Sequence, residues 1–143
     1  MPPPGSPFLN SRFRVEIDQV SAVDFAEVIL PDSFAEVVEY RNGGDPRGSH
    51  KTAGTVHSGC LVLRRGVTES KELFEWWTNI ANGVPDRRNV AVILLDEQLQ
   101  PVKQWNLAGV WPSRYIVGPL VAADEAVTLI ETIECVTDGM QLA

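Results

Sequence analysis

The chain has 143 residues, the length of one domain that buries a hydrophobic core without disulfides or a structural metal. Its 19 acidic residues against 12 basic ones give a formal net charge of −7, which argues against tight binding to nucleic acid or to anionic membranes. The longest apolar run, Val90–Leu95, is far shorter than the roughly 20 residues that span a bilayer. We therefore expect one domain with no specific nucleic-acid binding and no membrane insertion of its own.

The first ten residues contain four prolines and a glycine within seven positions, a composition typical of an extended, flexible segment. They lack the basic start and the apolar stretch of a secretion signal, so we expect synthesis in the cytoplasm without a signal peptide. The single folded domain is predicted to span residues 11–143. Within it, Arg12–Asp18 alternates strictly between apolar and charged residues and predicts a half-buried strand.

Two further β-rich runs, Asp24–Leu30 and Phe34–Arg41, flank a turn composition and predict a hairpin. The next segment, Asn42–Ser58, is rich in glycine and polar residues and predicts a long loop. A loop of this length in a compact domain is uncommon and belongs either to function or to disorder. The two alternatives are an unordered surface loop and an arm that orders against another subunit.

The segment Gly59–Gly83 predicts a strand, a turn and a helix at about residues 69–82. The apolar stripe of this helix recurs at three- and four-residue spacing. It consists of Leu73, Trp76 or Trp77, Ile80 and Ala81. Thr68 is the predicted N-cap, and Asn82 and Gly83 are the predicted left-handed stop.

Val90–Leu95 is apolar on both faces, so we expect the helix to cover its second face. Three more β-rich runs follow, at Val102–Leu107, Val110–Val117 and Ala126–Val136. Pro112 predicts a strand start, an edge or a bulge within the second run. Seven or eight strands with one helix predict a mainly β fold, an antiparallel β-sandwich or barrel with one flanking α-helix.

The sequence offers no recognisable constellation for catalysis or metal binding. His50 and His57 with Asp45 match no common zinc spacing, and no serine lies in a G-x-S-x-G motif. Cys60 and Cys135 lie in apolar strand patterns and are predicted to be buried thiols. The four tryptophans are expected in the core or at a subunit interface. We therefore predict a protein that is not an enzyme, with no catalytic residues, no metal and no cofactor.

Ten stretches in register resemble the tail tube protein family, which includes the tube proteins of contractile phages and of extracellular contractile injection systems. The resemblance covers nearly the whole chain after the proline-rich start. The stretches are Phe13–Asp18, Phe25–Val28, Val38–Asp45, Lys51–Gly54, Leu61–Thr68, Leu73–Trp76, Arg88–Asp96, Trp105–Leu107, Trp111–Pro112 and Val127–Glu134. Ser49–Ser58 departs from the family pattern, which is more apolar and contains proline there.

The resemblance implies a structural subunit that closes into hexameric rings, which stack into the hollow inner tube of a phage tail or extracellular contractile particle. The implied partners are the surrounding sheath protein, baseplate or spike proteins, tube-terminating proteins, and DNA or protein cargo in the lumen. Two alternatives remain open. One is a tube initiator or baseplate adaptor of the same machine, and the other is an unrelated monomeric β-sandwich binding module.

The length and polarity of the predicted loop favour a ring-to-ring contact at Tyr40–Thr55. The candidate inter-subunit and ring-stacking residues are Tyr40, Arg41, Asn42, Gly43, Gly44, Asp45, Arg47, His50, Lys51 and Trp77. Trp77 is included as the helix aromatic that faces an adjacent subunit if Trp76 enters the core. Charged alternate strand faces would line a wet lumen, and an acidic lining would keep DNA from adhering to the wall.

Overall fold

The computed structural model describes residues 5–20, 24–41, 43–44, 48–123 and 125–143. This part of the chain forms nine strands and one helix. In chain order they are β1 (Phe13–Ile17), β2 (Glu27–Ile29), β3 (Ser33–Tyr40), β4 (His50–Ser58), β5 (Leu61–Gly66), α1 (Glu72–Ala81), β6 (Arg88–Leu95), β7 (Pro101–Val117), β8 (Ile130–Val136) and β9 (Gly139–Leu142).

All strand pairs are antiparallel, and seven strands form one curved layer in the order β1-β6-β7-β8-β5-β2, with β9 also paired to β7. Strand β7 is 17 residues long and pairs with β6 and β9 over its first part and with β8 over its second part. It therefore belongs to both halves of the layer. The predicted mainly β, antiparallel fold with one flanking helix is confirmed.

The core lies between these two halves, because the alternating residues of each strand place one apolar set inside. Its buried members come from six elements. They are Val15, Ile17, Leu61, Leu63, Leu73, Trp76, Val90, Val92, Leu107, Val110, Ile133 and Cys135. The predicted alternation of β1 is confirmed, since Val15 and Ile17 are buried while Arg14 and Glu16 are exposed.

The helix begins at Glu72, three residues later than predicted. Thr68 does not cap it, because the Thr68 hydroxyl accepts from the backbone N–H of Ser70 at 3.2 Å in a turn before the helix. Lys71 occupies the N-cap position without a side-chain hydrogen bond. At the other end Gly83 has φ +78° and its N–H donates to Ile80 O at 3.0 Å, so the predicted left-handed stop lies at Gly83, whereas Asn82 has φ −88°.

The helix lies against β7, where Phe74 meets Tyr115 edge-on with ring centroids 5.4 Å apart. Its buried Leu73 and Trp76 join the same cluster as Val90 and Val92. On the second face of β6, Ile93 is buried outside that cluster, and its cross-strand neighbours are Arg14 and Gln104. The expectation that the helix covers this second face is therefore wrong.

The predicted pairing of the second and third β-rich runs is also wrong. Strand β2 pairs with β5, whereas β3 pairs with β4, which lies inside the predicted loop Asn42–Ser58. Strand β4 has eight residues that are polar, glycine or alanine and one valine, so hydrophobic periodicity gives no signal for it.

Two irregularities bend β7. Gly109 has φ +61° beside a register shift against β6, and a second shift follows Pro112 in the pairing with β8. Of the strand start, edge or bulge predicted at Pro112, the structure shows the bulge. Of the two cysteines, Cys135 is buried as predicted, but Cys60 is exposed because it precedes β5 rather than lying within it.

Candidate assembly surface

Strands β3 and β4 form a two-stranded sheet that is separate from the seven-stranded layer. We call this pair the ribbon. Every residue of β3 is exposed, and the most exposed apolar side chains of the ribbon are Val37 and Val56, at 68% and 71%. Five large apolar residues of the ribbon thus face solvent in the single subunit. They are Phe34, Val37, Val38, Tyr40 and Val56.

The base of the ribbon is fixed to the main layer. The Gly59 N–H donates to Asp32 O at 2.8 Å, which closes the two chain ends, and Pro31 is buried beside them. A Cβ at Gly59 would lie 1.8 Å from Asp32 Oδ1, so only glycine allows this close approach without a shift. The paired strands β2 and β5 adjoin the base in sequence. The ribbon therefore extends from a base whose position is fixed by these contacts.

One face of the ribbon carries both histidines of the chain. His57 stacks on Phe34 and His50 stacks on Tyr40, with ring centroids 5.1 and 5.4 Å apart. The Nε2 of His57 lies 2.8 Å from Glu36 Oε1. This face is aromatic and hydrogen-bonded within itself, which suits a flat contact surface.

The opposite face of the ribbon is more aliphatic. By alternation along β3 it carries Ala35, Val37 and Glu39, and the register places Ala53 beside Val37 and Val56 beside Ala35. The exposed Lys51 ammonium lies 3.7 Å from the Glu39 carboxylate. An exposed pair of this kind contributes little to stability, so the apolar side chains dominate what this face offers a partner.

The structure brings most of the described candidate residues together at one end of the ribbon. Tyr40 ends β3, and His50 and Lys51 begin β4. Arg41, Gly43 and Gly44 are exposed at the tip. Asn42, Asp45 and Arg47 lie outside the described residues. Trp77 is half-buried and lies on α1, so it does not belong to the ribbon.

Sequence reasoning missed the apolar part of this surface. Phe34 and Val37 are absent from the predicted set because β-rich runs are read as core strands, and Val56 is absent because it lies in the predicted loop just beyond Tyr40–Thr55. The adjacent valines Val37 and Val38, on opposite faces of one strand, were the available signal. A strand with an apolar residue on each face either has both faces covered or exposes apolar side chains on at least one of them.

A second surface is the outer face of the sheet β1-β6-β7-β9. One register line crosses all four strands, through Glu16, Ala91, Asn106 and Gln141. Gln104 Nε2 donates to Asn106 Oδ1 at 2.8 Å on the same face. The centre of this face is uncharged and carries the polar Gln104 and Asn106 beside the apolar Ala91 and Ile93.

An open groove of about 630 Å³ runs along this outer face. Three carboxylates line it, those of Glu16, Asp18 and Asp138. Two of them are paired with arginines. Glu16 lies 3.2 Å from Arg14 Nε, and Arg87 Nη1 donates to both Asp138 oxygens at 3.1 Å. The groove therefore combines three carboxylates with apolar lining residues such as Ala91, Ala108 and Met140.

Within the described ranges, no three histidine, cysteine or acidic side chains are grouped so that they could hold a metal ion. The same part of the chain contains no helix with the length and apolar character needed to cross a membrane.

Comparison with known proteins gives one family and a set of similar folds. Residues 9–141 match the family model described as T4-like virus tail tube protein gp19. A chain of the anti-feeding prophage baseplate is 26% identical, with 96% of both chains covered and a TM-score of 0.83. No curated protein matches the chain significantly.

Two further solved structures share the fold. A chain of an extracellular contractile injection system, the PVC sheath-tube complex in its extended state, is 21% identical over 97% of this chain and 93% of that one, with a TM-score of 0.86. Hcp1 from Flavobacterium johnsoniae is 17% identical over 91% and 93%, with a TM-score of 0.65.

Proposed function

We propose that this chain, which belongs to the T4-like virus tail tube protein gp19 family and is a structural subunit of a tail tube, closes into rings of six. These rings stack into the hollow inner tube of a contractile tail or injection particle. The single observation that carries this proposal is the ribbon, an exposed apolar sheet that no other strand of the described chain pairs with.

The ribbon needs a partner on energetic grounds. A two-stranded hairpin alone is marginally stable in water, and the ribbon exposes five large apolar side chains. Burying such a side chain fully is worth about 1.5–3 kcal/mol. A second copy of the subunit in an adjacent ring offers the repeated surface that a stacked assembly requires. We infer that the tip residues Tyr40, Arg41, Gly43, Gly44, His50 and Lys51 make the ring-to-ring contact, together with the apolar residues of the ribbon.

The lumen is the second part of the proposal. The outer face of β1-β6-β7-β9 carries the amide side chains of Gln104, Asn106 and Gln141, and three carboxylates line its groove. Such a wall is wettable, and the formal charge of −7 per subunit repels DNA phosphates from a surface repeated around a ring. We infer that this face lines the channel through which DNA or protein cargo passes.

The proposed partners follow from the same role. Similar chains come from structures described as a sheath-tube complex, a sheath/tube terminator and a baseplate. We infer that this subunit contacts a sheath protein around the tube, baseplate or spike proteins at one end, and a terminator at the other. We also infer that it performs no chemistry, which the structural role of its family supports.

Electron microscopy of the purified protein tests the proposal. Wild-type protein is expected to form hollow tubes. The double variant Val37→Asp with Val56→Asp places two charges on the aliphatic face of the ribbon, where both side chains are mostly exposed in the single subunit. We expect a folded subunit with unchanged circular dichroism that forms no tubes.

Leu99→Asp is the matched control, because Leu99 is an exposed apolar residue at a turn outside the ribbon. It should assemble as the wild type does. Tubes of normal length from the ribbon double variant would refute the ribbon contact. Isolated wild-type rings that never stack would favour the alternative of an initiator or baseplate adaptor, and a stable wild-type monomer would contradict the ring itself.

A further inference from the structure

Four strongly exposed apolar side chains lie in and beside the connection between β7 and β8. They are Val117, Leu120, Val121 and Val127. We call residues 117–123 and 125–127 the apolar loop. Leu120, Val121 and Val127 are 83%, 71% and 86% exposed, so nothing in the described subunit covers them. Apolar side chains clustered in this way mark a contact surface rather than scattered surface residues.

The base of the apolar loop is held in place by the backbone. The Gly118 N–H donates to Ile130 O at 3.1 Å, and the Val67 N–H donates to Leu129 O at 2.8 Å. These bonds tie both ends of the loop to the sheet. The exposed side chains are therefore presented from an anchored position, which lowers the entropy lost when they bind.

An apolar cleft lies elsewhere on the subunit, where the strand order ends. Strands β1 and β2 are the two ends of that order. Between them is a cleft of about 370 Å³. We call it the seam cleft. Its apolar lining includes Phe8, Leu9, Phe13, Val28, Leu30 and Trp105. Phe8 and Leu9 are exposed at its rim.

The apolar loop does not fill the seam cleft of its own subunit. The loop leaves the sheet between β7 and β8, and β6 and β5 separate these strands from the two ends. The high exposure of Leu120 agrees with this separation. Two complementary surfaces at different places on one chain generate a head-to-tail contact, which forms a ring when the rotation between neighbouring subunits closes.

The charges beside the two surfaces are complementary. Glu125 is exposed on the apolar loop. At the seam cleft, Lys103 is the cross-strand neighbour of the lining residue Leu94, and Arg12 precedes the lining residue Phe13. Arg12 Nη1 donates to Glu97 O at 2.9 Å, which places this cation at the same end. The acidic residue of the cleft wall, Glu27, is already paired with Arg64 at 2.9 Å.

We propose that the apolar loop of one subunit inserts Leu120 and Val121 into the seam cleft of the next subunit in the same ring, with Glu125 facing Lys103 of that neighbour. This inference rests on the proposed tube function and names the surfaces that close the ring. It is independent of the ribbon, which contacts the adjacent ring.

Disulfide trapping tests the contact directly. In a Cys60→Ser background, which removes the exposed native thiol, Leu9→Cys is combined with Val121→Cys and assembled tubes are oxidised mildly. On a denaturing gel without reductant we expect covalent oligomers up to the ring size. Each variant with only one introduced cysteine should run as a monomer on this gel. The matched pair of Val121→Cys with Val37→Cys on the ribbon should also run as a monomer.

The outcome separates this inference from the proposed function. Wild-type protein that forms neither rings nor tubes contradicts the function itself. Tubes that form normally while the Leu9→Cys, Val121→Cys pair gives no more cross-linking than the ribbon pair overturn the seam contact alone.

A charge exchange provides a second test that does not depend on oxidation. Glu125→Lys and Lys103→Glu should each raise the protein concentration needed for assembly, and the double variant should return it towards the wild-type value. Leu120→Asp with Val121→Asp should raise it about tenfold or more, since two apolar side chains lose their burial. Additive effects of the two charge changes, or an unchanged assembly concentration for the aspartate pair, would overturn the proposal.

Discussion

Arg65 Nε donates a hydrogen bond to Glu131 Oε1 at 2.5 Å across β5 and β8, at a place where the two side chains are only 1% and 4% exposed. The second carboxylate oxygen accepts from the Tyr115 hydroxyl at 2.6 Å, and the guanidinium lies 5.7 Å from the centroid of the Phe25 ring. Arg65 Nη1 and Nη2 have no hydrogen-bond partner among the described residues. The pair thus satisfies its carboxylate better than its guanidinium.

Removing the charge of Glu131 alone should destabilise the subunit strongly. Glu131→Gln keeps an oxygen for Tyr115 but leaves the buried guanidinium without a counter-ion, and we expect a loss of about 3–5 kcal/mol in the free energy of unfolding. Urea unfolding at concentrations below assembly measures it. The double variant Arg65→Met with Glu131→Gln removes both charges and should be more stable than Glu131→Gln. Equal or lower stability of the double variant would contradict this account.

Substitution of the two adjacent helix tryptophans, Trp76 and Trp77, should affect stability to different extents. Trp76 is buried, its Nε1 donates to Asp86 O at 2.8 Å, and the Arg88 guanidinium lies 4.9 Å from its ring centroid. Trp76→Ala is expected to cost about 3–5 kcal/mol of stability, because it leaves a large cavity. Trp77 is only half-buried, so Trp77→Ala should cost much less and instead weaken assembly if it contacts a neighbour. Similar unfolding midpoints for the two variants would show this distinction to be wrong.

Two glycines with positive φ differ in the space around them, which makes a matched pair. A Cβ at Gly109 would lie 2.0 Å from Asp138 Oδ2, whereas no atom lies within 4 Å of a Cβ at Gly83. Gly83→Ala should cost about 1–2 kcal/mol for the left-handed backbone alone. Gly109→Ala should cost more, since it also displaces Asp138 from Arg87. Thermal unfolding of both variants provides the comparison, and equal losses would contradict the predicted clash.

The two thiols should differ in reactivity. Burial, with a smaller contribution from Cys60, raises the pKa of the Cys135 thiol from 9.0 to about 12. At pH 8 a thiol reagent should modify only the exposed Cys60 in the folded subunit, and both cysteines after unfolding. Rapid modification of Cys135 in the folded Cys60→Ser variant would contradict the burial.

The same thiol makes stability depend on alkaline pH. The folded state holds this proton more tightly than the unfolded state does, so its contribution is fully present below pH 9 and is lost as the pH rises towards 12. Burial and the hydrogen bond to Glu131 raise the pKa of Tyr115 as well, which acts in the same direction. Each group changes stability by at most about 1.4 kcal/mol per pH unit. In Cys135→Ala, the free energy of unfolding measured with urea should fall less steeply between pH 9 and 12 than it does in the wild type.

The elements that sequence patterns predicted well are those with one face in the core. Strand β1 alternates because Val15 and Ile17 are buried and their neighbours are not. Strand β4 could not be found in this way, because both faces of the ribbon are exposed and no apolar period marks it. The predicted helix start failed for a local reason, since Thr68 caps a turn and not the helix.

The candidate surface was predicted in part for the same reason. Glycine and polar residues marked the ribbon tip, where Gly43 and Gly44 are exposed. Its apolar residues, such as Phe34, resemble core positions, because a β-rich run alone does not distinguish a buried side chain from one that is exposed in the single subunit.

Strand β7 has a mechanical consequence. Its first part is hydrogen-bonded to β6 and β9 and its second part to β8, so one continuous backbone joins the two halves of the subunit. A force on either half reaches the other through the covalent backbone of β7 and its three hydrogen-bonded ladders, and the halves cannot separate without breaking a ladder. A subunit built in this way transmits a load from one half to the other as a single block, which suits a structural subunit of a tail tube.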